Sequence, residues 1–290
     1  MPSMRDIKRK RANVCVTRDV MKAIDMVSAA KLQKAKARLG FSRPLFDATR
    51  RMMERLKECE KAAENPFIKP RDVKNTAYVV ITANRGLCGG YNMGVLGESL
   101  SHMNTGPKNE TILSVGSKGS DTFKRLKKNV LHRFTFDSEA SMYQDAACVS
   151  EQLLSLYTDE KVDEAFVAYT HYESTLRTIP RVLRVLPVAD SLSGVEHQSC
   201  QGGGGMTYDP DVHSFLDRAM PRYLHAILFG ALAESIACEH AARMINMNTA
   251  TDNAAEIIDG LTRTYNRVRQ AVITEEINEI VSSANILKSK

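Results

Sequence analysis

The sequence predicts an α/β class fold combined with a long helical coiled coil. In it, antiparallel N- and C-terminal helices flank a central domain. Three observations predict this. Helical apolar spacing fills both ends of the chain. Short β-rich runs alternate with helical patterns between them. The two ends carry opposite net charge. Of the 290 residues, 43% are hydrophobic and 26% charged, which excludes a disordered tail protein and a collagen-like repeat.

The N-terminal segment, residues 1–74, reads as a long helix over residues 4 to about 60. Positions Ile7, Val14, Met21, Leu32, Ala35 and Leu39 fall on one seam, and Val20, Ile24 and Val27 lie on a neighbouring stripe. The spacing is that of a heptad, interrupted by polar residues such as Arg11, Arg18 and Asp25. Gly40 and Pro44 are expected to break or bend this helix, because proline removes a donor and crowds the preceding turn. Asn65-Pro66 and Lys69-Pro70 end it.

Residues 75–190 read as a Rossmann-like α/β domain. The expected strands are Ala77–Thr82, Thr111–Val115, Glu164–Thr170 and Arg181–Leu186. The expected helices lie near 92–104, 118–128 and 143–157. Such alternation implies a sheet with some parallel pairing. Residues 191–209, with their run of four glycines, are expected to form a flexible loop.

Residues 210–290 are expected to form the second long helix. Leu224, Leu228, Leu232 and Ile236, then Ile257, Leu261, Tyr265, Val268 and Val272, recur with helical spacing. A helix of about 75 residues is about 110 Å long. A compact chain of this length is only about 50 Å across, so the helix is expected to project from the central domain. Residues 1–74 carry 20 Lys+Arg against 9 Asp+Glu, whereas residues 208–287 carry 6 against 11. The two helices therefore attract each other and are expected to pair antiparallel.

The sequence carries no recognisable catalytic constellation. GxSxG, HExxH and GxxxxGK[ST] are all missing, and the seven histidines lie far apart. No metal or cofactor is expected. The six cysteines include no CxxC pair and read as free thiols. Two glycine clusters follow strands: Asn84–Tyr91, containing Gly86, Cys88, Gly89 and Gly90, and Val115–Gly119. Each could cradle a phosphate, but the GxGxxG spacing is absent, and a tight strand-to-helix turn is the favoured reading. Cys88 could serve as a nucleophile only with a base that the neighbouring sequence does not provide. Arg243, Arg269 and the Thr274–Glu276 group lie on the acidic helix. Intrahelical ion pairs on a solvated face and contacts with a partner both fit them. Sparse aromatic residues in the basic third, and no tryptophan anywhere, argue against nucleic-acid binding. Neither a secretory signal nor a membrane-spanning run is expected from the sequence.

Three stretches together resemble one family, the gamma subunit of F-type ATP synthases. They are Lys22–Leu32, Arg85–Asn92 and the C-terminal pair Thr249–Ala254 and Thr264–Val281. The resemblance covers nearly the whole chain in order. It implies a non-catalytic rotor shaft that transmits rotation between a proton- or sodium-driven membrane ring and a catalytic ring. The implied partners are the alpha and beta subunits of the catalytic ring, the epsilon subunit and the c-subunit ring, with one copy of this chain per complex. The implied location is peripheral, on the cytoplasmic side of the cell membrane. Arg269, Gln270 and Thr274 match family positions that contact a catalytic-subunit loop. Arg243 and Glu276 match positions implicated in coupling, and Lys22 matches a basic position of the N-terminal signature. Ile24 and Asp25 stand where the family usually has Met and Glu, so no Met-specific packing role carries over to Ile24.

Overall fold

The computed structural model describes residues 3–57, 64–106, 109–136, 141–188 and 212–288. The loop expected at 191–209 lies outside them. The chain forms two compact units. One comprises Met1–Ser28 with Met244–Lys290, and the other comprises Ala29–Arg243.

Helix α1 spans Met4–Lys57 without interruption, with Pro44 inside it. The expected break at Gly40 and Pro44 does not occur. Proline leaves one carbonyl, that of Gly40, without its helical donor. Both residues are exposed, so water can serve that carbonyl. Burial of Leu32, Ala35 and Leu39 on the opposite face offsets the cost of about 3 kcal/mol.

The sheet belongs to the larger unit. Its strands are β1 (Asn75–Ile81), β2 (Asn109–Val115), β3 (Val130–Phe134), β4 (Glu164–Tyr172) and β5 (Thr178–Leu186). Helix α2 (Tyr91–Thr105) follows β1, α3 (Ser117–Arg125) follows β2, and α4 (Met142–Thr158) precedes β4. The strand order is β3-β2-β1-β4-β5. The β1–β2, β1–β4 and β2–β3 pairs are parallel, and β4–β5 is antiparallel. β3 was not expected. Helix was predicted through residue 128, but α3 ends at Arg125. β3 is an edge strand with Leu131, His132 and Arg133 exposed, so it lacks the apolar alternation that betrays a half-buried strand.

β1 is central and closed on both faces, as parallel strands require. Tyr78 and Val80 face a core with Val95, Leu96, Ile112, Phe123 and Phe166. Ala77, Val79 and Ile81, on the other face, are also buried. Tyr78 stacks on Phe166 at 5.4 Å between ring centroids and its hydroxyl shares a 2.9 Å hydrogen bond with His102 Nδ1.

Helix α5 runs from Val212 to Lys288, in agreement with the predicted long C-terminal helix. In the larger unit its segment runs antiparallel to α1. The ring of Phe46 lies 3.4 Å from where a Cβ on Gly230 would stand, and Lys31 lies close enough to His240 to lower its pKa. In the smaller unit, Ile7 and Ser28 of α1 and Met247 and Ala254 of α5 are buried. There the Arg11 guanidinium lies 5.8 Å from the Tyr265 ring centroid.

Candidate functional site

The strand order reverses between β1 and β4, and in such sheets ligands bind outside the carboxyl ends of the strands at that position. The glycine-rich turn, residues 84–90, leaves β1 at this point. Two of its residues have left-handed backbones, Leu87 at φ 63° and Gly89 at φ 53°. Glycine adopts this conformation freely and leucine only at a cost, so the turn is held by its neighbours. The amide of Ala83 donates to Asn92 Oδ1 at 2.9 Å, and Asn92 Nδ2 donates to Cys88 Sγ at 3.1 Å.

The chain's own α5 occupies the crevice. Ser235 Oγ accepts from the Thr170 amide at 3.3 Å, and Cys238 Sγ donates to the Thr170 carbonyl at 3.5 Å. Ser235 also hydrogen-bonds Tyr91, whose phenol is pushed well above its ordinary pKa, first by burial. One helical stretch further on, Arg243 Nε and one terminal nitrogen each lie 3.3 Å from the Gly86 carbonyl and donate to it. The same terminal nitrogen donates to Glu239 Oε1 at 2.7 Å. The other donates to His240 Nδ1 at 3.3 Å. Arg243 is 8% exposed, so of the two sequence readings, a solvated face is overturned for this residue. A buried guanidinium needs most of its donors taken, and Gly86, Glu239 and His240 take them.

The second glycine cluster is equally occupied. At the N-terminus of α3, the amides of Ser117, Lys118 and Gly119 donate to Asn84 Oδ1, the Ala83 carbonyl and Thr82 Oγ1, at 3.1, 3.2 and 2.9 Å. A Cβ on Gly119 would stand 2.7 Å from Thr82 Oγ1, and one on Gly116 (φ 92°) would stand 2.1 Å from the Thr82 carbonyl oxygen. These glycines permit close strand–helix packing. The amides that a phosphate would need are already bonded to the chain.

Burial raises the Cys88 thiol pKa, and Arg243 opposes this only in part. The thiolate a nucleophile requires is therefore disfavoured. Burial also lowers His240 to about 4, with Arg243 and Lys31 adding to the effect. Among the described residues, no group of three or more His, Cys, Asp or Glu could hold a metal ion.

Thus the structure brings Arg243 together with Gly86 and Cys88, while Gly89 and Gly90 lie exposed on the same turn. Arg269, Gln270, Thr274 and Glu276 are exposed in the smaller unit, as is Lys22, with Ile24 half-buried. Thr274 Oγ1 donates to the Gln270 carbonyl at 2.8 Å. Sequence reasoning missed Glu234, Glu239 and His240. The spacing of Glu239 and Arg243, four residues apart on a helix, was the one local signal.

A family model described as ATP synthase matches residues 3–287. The ATP synthase gamma chain of Alkaliphilus metalliredigens is 38% identical over 286 residues, covering 98% of this chain and 99% of that one. The chain belongs to the ATP synthase gamma-chain family. The gamma chain of Moorella thermoacetica is 36% identical over 288 residues, covering 99% and 100% of the two chains. A chain in the Euglena gracilis mitochondrial ATP synthase (OSCP/F1/c-ring, rotational state 3) has the same fold, with a TM-score of 0.70 at 20% identity over 98% of this chain and 94% of that one. A chain in the Tetrahymena thermophila mitochondrial ATP synthase central stalk/c-ring gives 0.64 at 21% identity, over 80% and 99%. The resemblance seen in the sequence is therefore a family relationship along the full chain.

Proposed function

We propose that this chain is the central rotor shaft of an F-type ATP synthase, a subunit with no active site of its own. One observation carries the reading beyond family membership. At the position where this sheet topology binds ligands, α5 is tied by side chains to the end of β4 and to the turn that follows β1. A helix tied to the sheet in this way suits a mechanical element better than a ligand-binding cleft.

On this reading the partners are the alpha and beta subunits of a catalytic ring, the epsilon subunit and a c-subunit ring. The exposed Lys22, Arg269, Gln270, Thr274 and Glu276 are the proposed contacts with the catalytic ring. Exposed Val16, Val20, Ile273 and Ile277 in the same unit supply apolar surface for it. On the turn, exposed Leu87 is a further candidate contact. The proposed location is peripheral, on the cytoplasmic side of the cell membrane, and the driving ion is a proton or sodium. Among the described residues no helix is long and apolar enough to cross a membrane.

The test is to purify a tagged copy from its own cells under gentle, detergent-containing conditions. Native mass and subunit content are then measured together with magnesium-dependent ATPase activity. A large complex with one copy of this chain and three each of two bigger subunits is expected. A monomer or homo-oligomer would overturn the reading. Titration of the isolated chain with ATP or NAD is expected to show no saturable binding.

A further inference from the structure

Tyr172, the last residue of β4, has its two backbone polar atoms taken by two different helices. Its amide donates to Glu234 Oε2 of α5 at 3.4 Å. Its carbonyl accepts from an Arg43 terminal nitrogen of α1 at 2.8 Å. Arg43 Nε also lies 3.8 Å from Glu234 Oε1, so a single strand residue and one ion pair close a ring across both helices. His171 Nδ1 donates to Glu234 Oε2 at 2.7 Å. The Glu234 side chain is only 12% exposed. Two turns earlier on α1, Lys36 Nζ donates to Thr175 Oγ1 at 3.0 Å and lies 5.9 Å from the Tyr172 ring centroid. All these residues belong to the larger unit.

Apolar packing holds helices against a sheet without direction and fixes their axial position and rotation less sharply than directed bonds do. Charge-assisted hydrogen bonds to backbone atoms of a strand set both position along the helix axis and rotation about it. We propose that Glu234 and Arg43 are positioning residues. They key α1 and α5 to the end of β4, so that torque passes between the sheet and the helix pair without angular slack. The proposal rests on the rotor-shaft reading and deepens it by naming the residues that make the joint stiff.

The test uses the assembled, detergent-purified complex with its catalytic ring fixed to a surface. A probe is attached through the exposed Cys148 of α4, in a chain whose Cys15, Cys59 and Cys200 are replaced by serine. The angular variance of the probe during stalled dwells reads the torsional softness of the rotor. Glu234→Gln and Arg43→Gln are each expected to raise this variance about twofold, since each removes the charge that strengthens the links at Tyr172. The double variant is expected to add little to either alone, because both act on one joint. Glu173→Gln, which breaks the exposed Arg177 pair, is expected to leave the variance at the wild-type value. Arg43→Lys keeps the charge at a half-exposed site and guards against misassembly. It is expected to raise the variance less than Arg43→Gln. Wild-type variance in assembled complexes carrying Glu234→Gln or Arg43→Gln would overturn the proposal. A wild-type probe that does not turn on addition of magnesium and ATP would instead overturn the rotor reading itself.

Discussion

His240 allows a prediction in which sign and size both follow from the structure. The residue is 8% exposed, and its Nδ1 accepts from the Arg243 guanidinium. Only the neutral ring can do this. A proton there would set a second positive charge beside Arg243, near Lys31, with little water to screen it. Accordingly burial first, then Arg243 and Lys31, lower its pKa from 6.5 to about 4. In the unfolded chain the ring titrates normally and binds a proton more readily than in the folded chain. The stability contribution is therefore complete above pH 6.5 and is lost as pH falls towards 4. Tenfold weaker proton binding in the folded chain corresponds to about 1.4 kcal/mol, so the full loss is about 3 kcal/mol and the loss by pH 5 about 2 kcal/mol. His240→Asn offers an uncharged acceptor close to the position of Nδ1 and cannot titrate. Denaturant unfolding of both chains at pH 7 and pH 5 gives the comparison. The wild type is expected to lose about 2 kcal/mol more than the variant over that interval. Equal losses would refute the argument, since they would mean that the folded chain holds the proton as well as the unfolded one.

Other substitutions test the packing around the same elements. Gly119→Ala forces a methyl to within 2.7 Å of Thr82 Oγ1 and is expected to lower stability by about 1–3 kcal/mol in denaturant unfolding. Arg243→Ala leaves the Gly86 carbonyl and the Glu239 carboxylate without their shared partner. A loss of about 2 kcal/mol is expected, below that of a sealed pair because water reaches Glu239. Glu164→Leu removes the acceptor for Thr76 Oγ1 at 2.9 Å and the ion pair to Arg184 at 3.3 Å. It is expected to cost about 3 kcal/mol, whereas Glu164→Gln, which keeps an acceptor, is expected to cost less. Leu87→Ser, at an exposed site, is expected to change the stability of the isolated chain by less than about 1 kcal/mol in denaturant unfolding.

The sequence by itself determined both long helices, four of the five strands and the family. Helical spacing repeats every turn and strand patterning every second residue, so a window of some ten residues carries each signal. The C-terminal signature Thr264–Val281 lies within one helix and reads directly. Only the tertiary structure decided β3, because an edge strand with an exposed middle lacks a buried face to impose a pattern. Only it decided that α1 passes through Pro44, because burial of the opposite helix face outweighs one missing backbone bond. The same holds for the role of the glycine turn. Gly86 meets Arg243 although the two stand 157 positions apart in the chain, and Tyr172 joins Arg43 to Glu234. Local spacing cannot encode such meetings; they arise when α5 fills the crevice at the ends of β1 and β4.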